Sequence, residues 1–180
     1  VTELNYQGQL IGPAEVTLIA AATSTLAELN SLRCGNNPGM VGELDKYGTV
    51  KTPDAHAEVF KQLTDSLKTS QVTEVDFSSC GIGVVALGHL SDWVRDATAV
   101  VADLNISEAI IGGAGPTLVE ALSASSSLEV ITIGRGLRLP LKDKYDSDIL
   151  DAAGKGIEAG GATVIAWWLT TSAAAALNSL

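Results

Sequence analysis

Histidine, glycine, aspartate and serine groups are the residues of this chain that could do chemistry. His56 and His89 could share a metal or relay a proton if they converged. Neither has a Cys or carboxylate at metal-ligand spacing, so two helix-surface positions are the expectation. Gly112-Gly113-Ala114-Gly115 stands between a strand-like and a helix-like segment, the right place for a phosphate-cradling loop. It lacks the spacing of a dinucleotide fingerprint and a Lys-Ser/Thr ending. Gly83 and Gly161 occupy comparable places, so a tight strand-to-helix turn explains it. Asp143, Asp146, Asp148 and Asp151 surround Tyr145 and could offer oxygens to Ca²⁺. Their spacing is not that of a calcium loop, and a solvated acidic loop is expected; the sequence leaves open whether Asp143, Asp146 and Asp148 bind a cation. Ser123-Ala124-Ser125-Ser126-Ser127 contains no Gly-x-Ser-x-Gly elbow. No catalytic constellation emerges, and the chain reads as a non-enzyme that needs neither cofactor nor metal.

The elements that would position these residues follow a repeat. Apolar residues fall at a first position and then at +3, +5, +8 and +10, and the set returns roughly every 28 residues, a period that signals stacked units. Val72, Val75, Phe77, Cys80 and Ile82 form one copy; Val101, Leu104, Ile106, Ala109 and Ile111 form the next. Val1, Leu29, Leu128 and a segment near Ser147 to Ala152 begin others, and Leu177 with Leu180 opens a seventh. The tetrapeptide Leu29-Asn30-Ser31-Leu32 recurs as Leu177-Asn178-Ser179-Leu180. Within each copy the +3 and +5 residues alternate with polar ones, as in a short strand with one buried face. Helical spacing then takes over, as in Ala86, Leu87, Leu90, Trp93 and Val94. Each copy is therefore expected to be a strand, a turn and a helix. Two stretches break the period. Residues 38–54, rich in Gly, Pro and charge, read as an insertion loop. Residues 134–147 lack a helical stripe, so a loop should replace the helix there.

Leu29-Asn-Ser-Leu32-Arg-Cys34-Gly-Asn-Asn37 and Val72-Thr-Glu-Val75-Asp-Phe77-Ser-Ser-Cys80-Gly-Ile82 match LxxLxLxx(N/C)xL. The chain resembles leucine-rich repeat proteins of the ribonuclease-inhibitor-like class over nearly its whole length. It departs from the family at the Asn/Cys position, where Gln9, Ala109, Gly136 and Lys155 stand. The resemblance implies an α/β fold: a right-handed solenoid or horseshoe, with parallel strands on the concave side and helices on the convex side. One domain over residues 1–180, of about six repeats and belonging to a longer array, is the expectation.

Composition narrows the function classes. The chain has 180 residues, 46% hydrophobic, and a formal charge of −10. That charge disfavours nucleic acid, whose phosphates need clustered Lys and Arg, and favours a basic protein partner. No apolar run reaches the roughly 18 residues expected of a membrane helix. Cys34 and Cys80 are the only cysteines; as reduced, buried thiols they fit an intracellular protein of the cytoplasm.

Residues between the buried strand positions should line the concave face. These include Glu3, Asn5, Arg33, Glu74, Asp76, Asp103, Asn105, Thr132 and Asp151, with Glu108 beside them. Glu74, Asp76 and Asp103 form an acidic strip. Trp167, whose counterparts in other copies are Asp92 and Ala21, is read as an exposed anchor. The resemblance implies a protein–protein interaction module that presents this face to a protein partner. The second reading is a structural or scaffold subunit packed in a larger assembly. A third places a catalytic domain outside this chain.

Overall fold

Short runs in which one apolar residue stands between polar ones build the sheet. The computed structural model describes residues 2–177. Strands β1 (Glu3–Asn5), β2 (Ser31–Arg33), β5 (Glu74–Asp76), β6 (Asp103–Asn105) and β7 (Val130–Ile133) lie side by side and parallel, in that order. Their register aligns Leu4, Leu32, Val75, Leu104 and Ile131 in one row. Between them run α1 (Pro13–Thr25), α2 (Ala57–Leu67), α3 (Val84–Val94), α4 (Gly115–Ala124) and, last in the chain, α5 (Ala159–Trp168). Each helix packs on the next in chain order. The central strand residues from Leu32 to Ile131 point into the core, where Phe60 of α2 meets Phe77 edge-on at 5.2 Å.

Three strands end by one device, which recurs once outside the sheet. Asn5, Asp76, Asn105 and, outside the sheet, Asp151 each accept the backbone N–H two residues on, at 2.9–3.1 Å. Such a side chain mimics a turn and stops the extended chain. Three residues after Asn5, Arg33, Asp76 and Asn105, the backbone turns left-handed at Gly8, Asn36, Ser79 and Glu108. Only Gly adopts this conformation without penalty; other residues give up about 1–2 kcal/mol. Each of the four donates its N–H to the neighbouring turn, at 2.8–2.9 Å, which offsets that cost. Residues with short polar side chains, or none, sit at three of the four.

The expectation of a uniform solenoid of parallel strands is corrected. The sheet has a sixth strand, β8 (Leu137–Pro140), antiparallel to β7, so the architecture is a mixed α/β fold with a six-stranded, mostly parallel sheet. β8 takes the place expected for the segment from Ser147 to Ala152, and residues 141–158 add no strand to the sheet. The reason is local. Gly134 and Gly136, with φ of 54° and 80°, turn the chain back on itself between two runs of alternating apolar residues. That pattern makes a hairpin. The insertion 38–54 is likewise no plain loop: β3 (Glu43–Leu44) and β4 (Val50–Thr52) pair antiparallel in it. The expectations placed on Val1 and on the recurrence at Asn178, Ser179 and Leu180 lie outside the described residues.

Asn37 and the cysteines occupy the core behind the strand ends. Asn37 is fully buried and bonds four backbone groups of its own and the preceding turn. Cys80, at the matching position, donates its S–H to the Cys34 carbonyl at 3.1 Å. Both thiols are free and buried. Burial pushes the Cys34 thiol up, helped by the charge of nearby Asp76. Burial likewise takes Cys80 up to about 12. Neither thiol should therefore react with an aromatic disulfide reagent at pH 8 while the chain is folded. Labelling across a urea series should follow global unfolding; labelling in the absence of urea at the rate of a free thiol would contradict the buried placement.

Candidate functional site

Parallel pairing places the side chains flanking the buried row on the sheet face away from the helices. On that open face the register sets Glu3, Ser31, Glu74, Asp103 and Val130 in one row, and Asn5, Arg33, Asp76, Asn105 and Thr132 in the next. The strand-stopping Asn and Asp residues therefore also furnish the face. A hollow of about 160 Å³ opens in its middle, lined by Ser31, Arg33, Glu74, Asp76, Asp103 and Asn105 among others.

The charges there are interleaved, not a plain acidic strip. Arg33 lies between two carboxylates, its Nε 3.0 Å from Glu3 and an Nη 3.9 Å from Glu74. Arg138, on β8 opposite Thr132, donates to Asp103 at 2.9 Å. Asp76 sits between these pairs, half-buried, with its Oδ1 on the Ser78 N–H. Among the described residues no Lys, Arg or His pairs with it. Ser31 Oγ, shielded from solvent beside the hollow, has no hydrogen-bond partner among the described residues either.

Not every expected residue belongs to this group. Glu108 lies past the end of β6 and pairs with Arg135 at 3.3 Å. Thr132 is nearly buried beside the added strand, opposite Arg138, and contributes little to the face. Asp151 lies outside the strand rows, beside a second hollow that it shares with Leu137, Arg138 and Pro140 of β8 and with Lys144, Tyr145 and Lys155. Trp167 is half-buried and packs against the core, so it offers only part of its ring. Arg138 went unanticipated because β8 did; the Leu-Arg-Leu alternation after Gly134-Arg135-Gly136 was the available signal.

The other chemical groups resolve into structure. Glu158 places its carboxylate on the Gly112 N–H, at 2.9 and 3.1 Å, so a side chain of this chain fills the spot where an anion would sit. Asp54 does the same for α3, accepting from the N–H groups of Gly83, Val85 and Ala86 at 2.7–3.1 Å. That is a helix cap supplied from the insertion, satisfying donors the helix cannot. His89 Nε2 lies 3.9 Å from Glu58 on the neighbouring helix. No cluster of three or more potential metal ligands occurs among the described residues, and Asp143, Asp146 and Asp148 are exposed. No helix among these residues is long and apolar enough to cross a membrane.

No protein-family model and no curated protein matches the chain. Among solved structures it is similar to the actin-binding site 2 of leiomodin-1, with a TM-score of 0.56 and 13% identity. The match covers 73% of this chain and 69% of that one. At this identity the likeness concerns the fold alone.

Proposed function

We propose that this chain is a non-enzymatic protein-recognition module whose open sheet face receives a basic side chain of a protein partner. The observation that carries the reading is Asp76, a half-buried carboxylate in a hollow whose neighbouring charges are already paired with one another. An incoming Lys or Arg would meet a charge without having to break an ion pair. Ser31 Oγ, lacking a partner, could accept a second hydrogen bond from the same group. Four carboxylates (Glu3, Glu74, Asp76, Asp103) face two guanidinium groups (Arg33, Arg138), and the whole chain carries −10, so the long-range field also attracts cations. The strand segments' resemblance to the leucine-rich repeat signature supports the same class of role. Leiomodin-1 uses a similar fold as an actin-binding site, and only the class of partner, a protein, is carried over.

Asp76→Asn is the discriminating variant. It keeps an oxygen for the Ser78 N–H and removes only the charge. Affinity for Lys- and Arg-containing peptides, read by fluorescence anisotropy, should fall about five- to tenfold, the worth of one charge-assisted hydrogen bond of about 1 kcal/mol. Replacing Asp103 is less informative, because it strips Arg138 of its partner and adds a free cation to the face. Equal binding by the Asp76→Asn protein and the parent would remove the basis of this reading.

A further inference from the structure

We infer that the partner segment carries a bulky aliphatic side chain two or three residues from its basic one, and that the insertion 38–54 exists to wall the groove that takes it. This rests on the reading of the open face above and adds a second half to it. A groove of about 340 Å³ runs past the ends of β5 and β6, with Pro38, Val50 and Pro53 of the insertion on one side and Ile82 and Ile110 on the other. Its lining is predominantly apolar, and Glu108 is the charged residue there. Ile110 is 47% exposed, although the adjacent Ile111 is buried.

Geometry joins the two hollows. Asp76 and Asn105 line the polar one; Ser79 and Glu108, three residues further along the same two segments, line the apolar one. Three extended residues span about 10 Å, and the left-handed turns at Ser79 and Glu108 shorten that path. A single extended segment lying along these strand ends therefore reaches both. Its charge complements the open face and its aliphatic group complements the groove. A purely basic segment would leave the groove unfilled, and a purely apolar one would leave Asp76 unmet.

The test is selection of short random peptides, displayed on a carrier, against the whole chain, followed by affinities for Ile110→Asp, Val50→Ser and Asp76→Asn proteins whose urea midpoints match the parent. The inference expects enriched peptides with Lys or Arg two or three positions from Leu, Ile or Met. Their binding should fall about tenfold for Ile110→Asp, less for Val50→Ser on the opposite wall, and should be unaffected by Ile110→Asp once the peptide aliphatic is changed to Ser. Basic peptides indifferent to both groove variants would overturn the inference and leave the open-face function standing. Peptides sensitive to the groove variants but not to Asp76→Asn would overturn both, as would no enrichment at all.

Discussion

Asn37→Ala should cost about 3–4 kcal/mol of folding stability, the sum of several buried polar groups left without partners. The Asn37 side chain accepts the Ile11 N–H at 3.1 Å and donates to the carbonyls of Cys34 at 2.7 Å, Tyr6 at 2.8 Å and Gly35 at 3.2 Å. It is fully buried, and Ile11 is nearly so. Alanine removes every one of these bonds and leaves one N–H and three carbonyls without their side-chain partner. Against a total stability of about 5–15 kcal/mol for a domain, the change should appear as a large drop in the urea midpoint at unchanged slope. Asn37→Asp separates chemistry from volume. A carboxylate cannot donate, so it would face the carbonyls of Tyr6 and Cys34 with like partial charge. It should be worse than alanine at neutral pH and recover partly in acid, where a protonated carboxyl donates once. An Asn37→Asp protein as stable as the parent at pH 7 would show that these bonds do not hold the turn.

Asn37 also marks what was legible in the sequence. Its position in the apolar spacing identified it as part of a recurring turn, and the same spacing located the buried strand residues from Leu32 to Ile131. The pattern worked because one buried face imposes a period of two, and a one-residue slip would expose the whole row. It failed where the chain reversed. Val130-Ile-Thr-Ile133 and Leu137-Arg-Leu-Pro140 both alternate, but the roughly 28-residue spacing runs on through the same stretch, placing Gly136 at its Asn/Cys position and a loop over 134–147. β8 carries Arg138, which pairs with Asp103 and turns an apparent acidic strip into interleaved charge. The Asx-type role of Asn5, Asp76 and Asn105 was equally hidden, since an outward-facing Asp reads the same whether it binds a partner or its own backbone. The caps supplied by Asp54 and Glu158 join residues 29 or more apart in sequence, beyond the reach of any local spacing rule.

The insertion's attachment to the sheet should be highly sensitive to an added methyl group, and Gly81→Ala is the change that exposes it. Gly81 has φ +75°, and a methyl group there would meet the Pro38 carbonyl oxygen at 2.5 Å, the Gly42 nitrogen at 2.6 Å and the Gly42 Cα at 2.8 Å. All three are backbone atoms, so no side chain can rotate away. The left-handed conformation alone costs about 1 kcal/mol for alanine, and the collision should bring the total to about 3 kcal/mol or more. Relief can come only by moving the insertion outward, which would break the bonds from the Val41 N–H to Cys80 and from the Asp54 N–H to Gly81, at 3.1 and 3.2 Å. Moving Asp54 would also withdraw the cap from α3. The expected signature is therefore twofold: a lower urea midpoint, and amide exchange at Val41, Asp54, Val85 and Ala86 accelerated beyond what the global loss accounts for. Because Gly81, Pro38 and Val50 all line the apolar groove, the same variant should lose the aliphatic half of peptide binding while Asp76 still receives the basic half. A Gly81→Ala protein with parental exchange at Val41 and Asp54 would mean the insertion is not seated on the β5 turn as described, and the groove would lose its second wall.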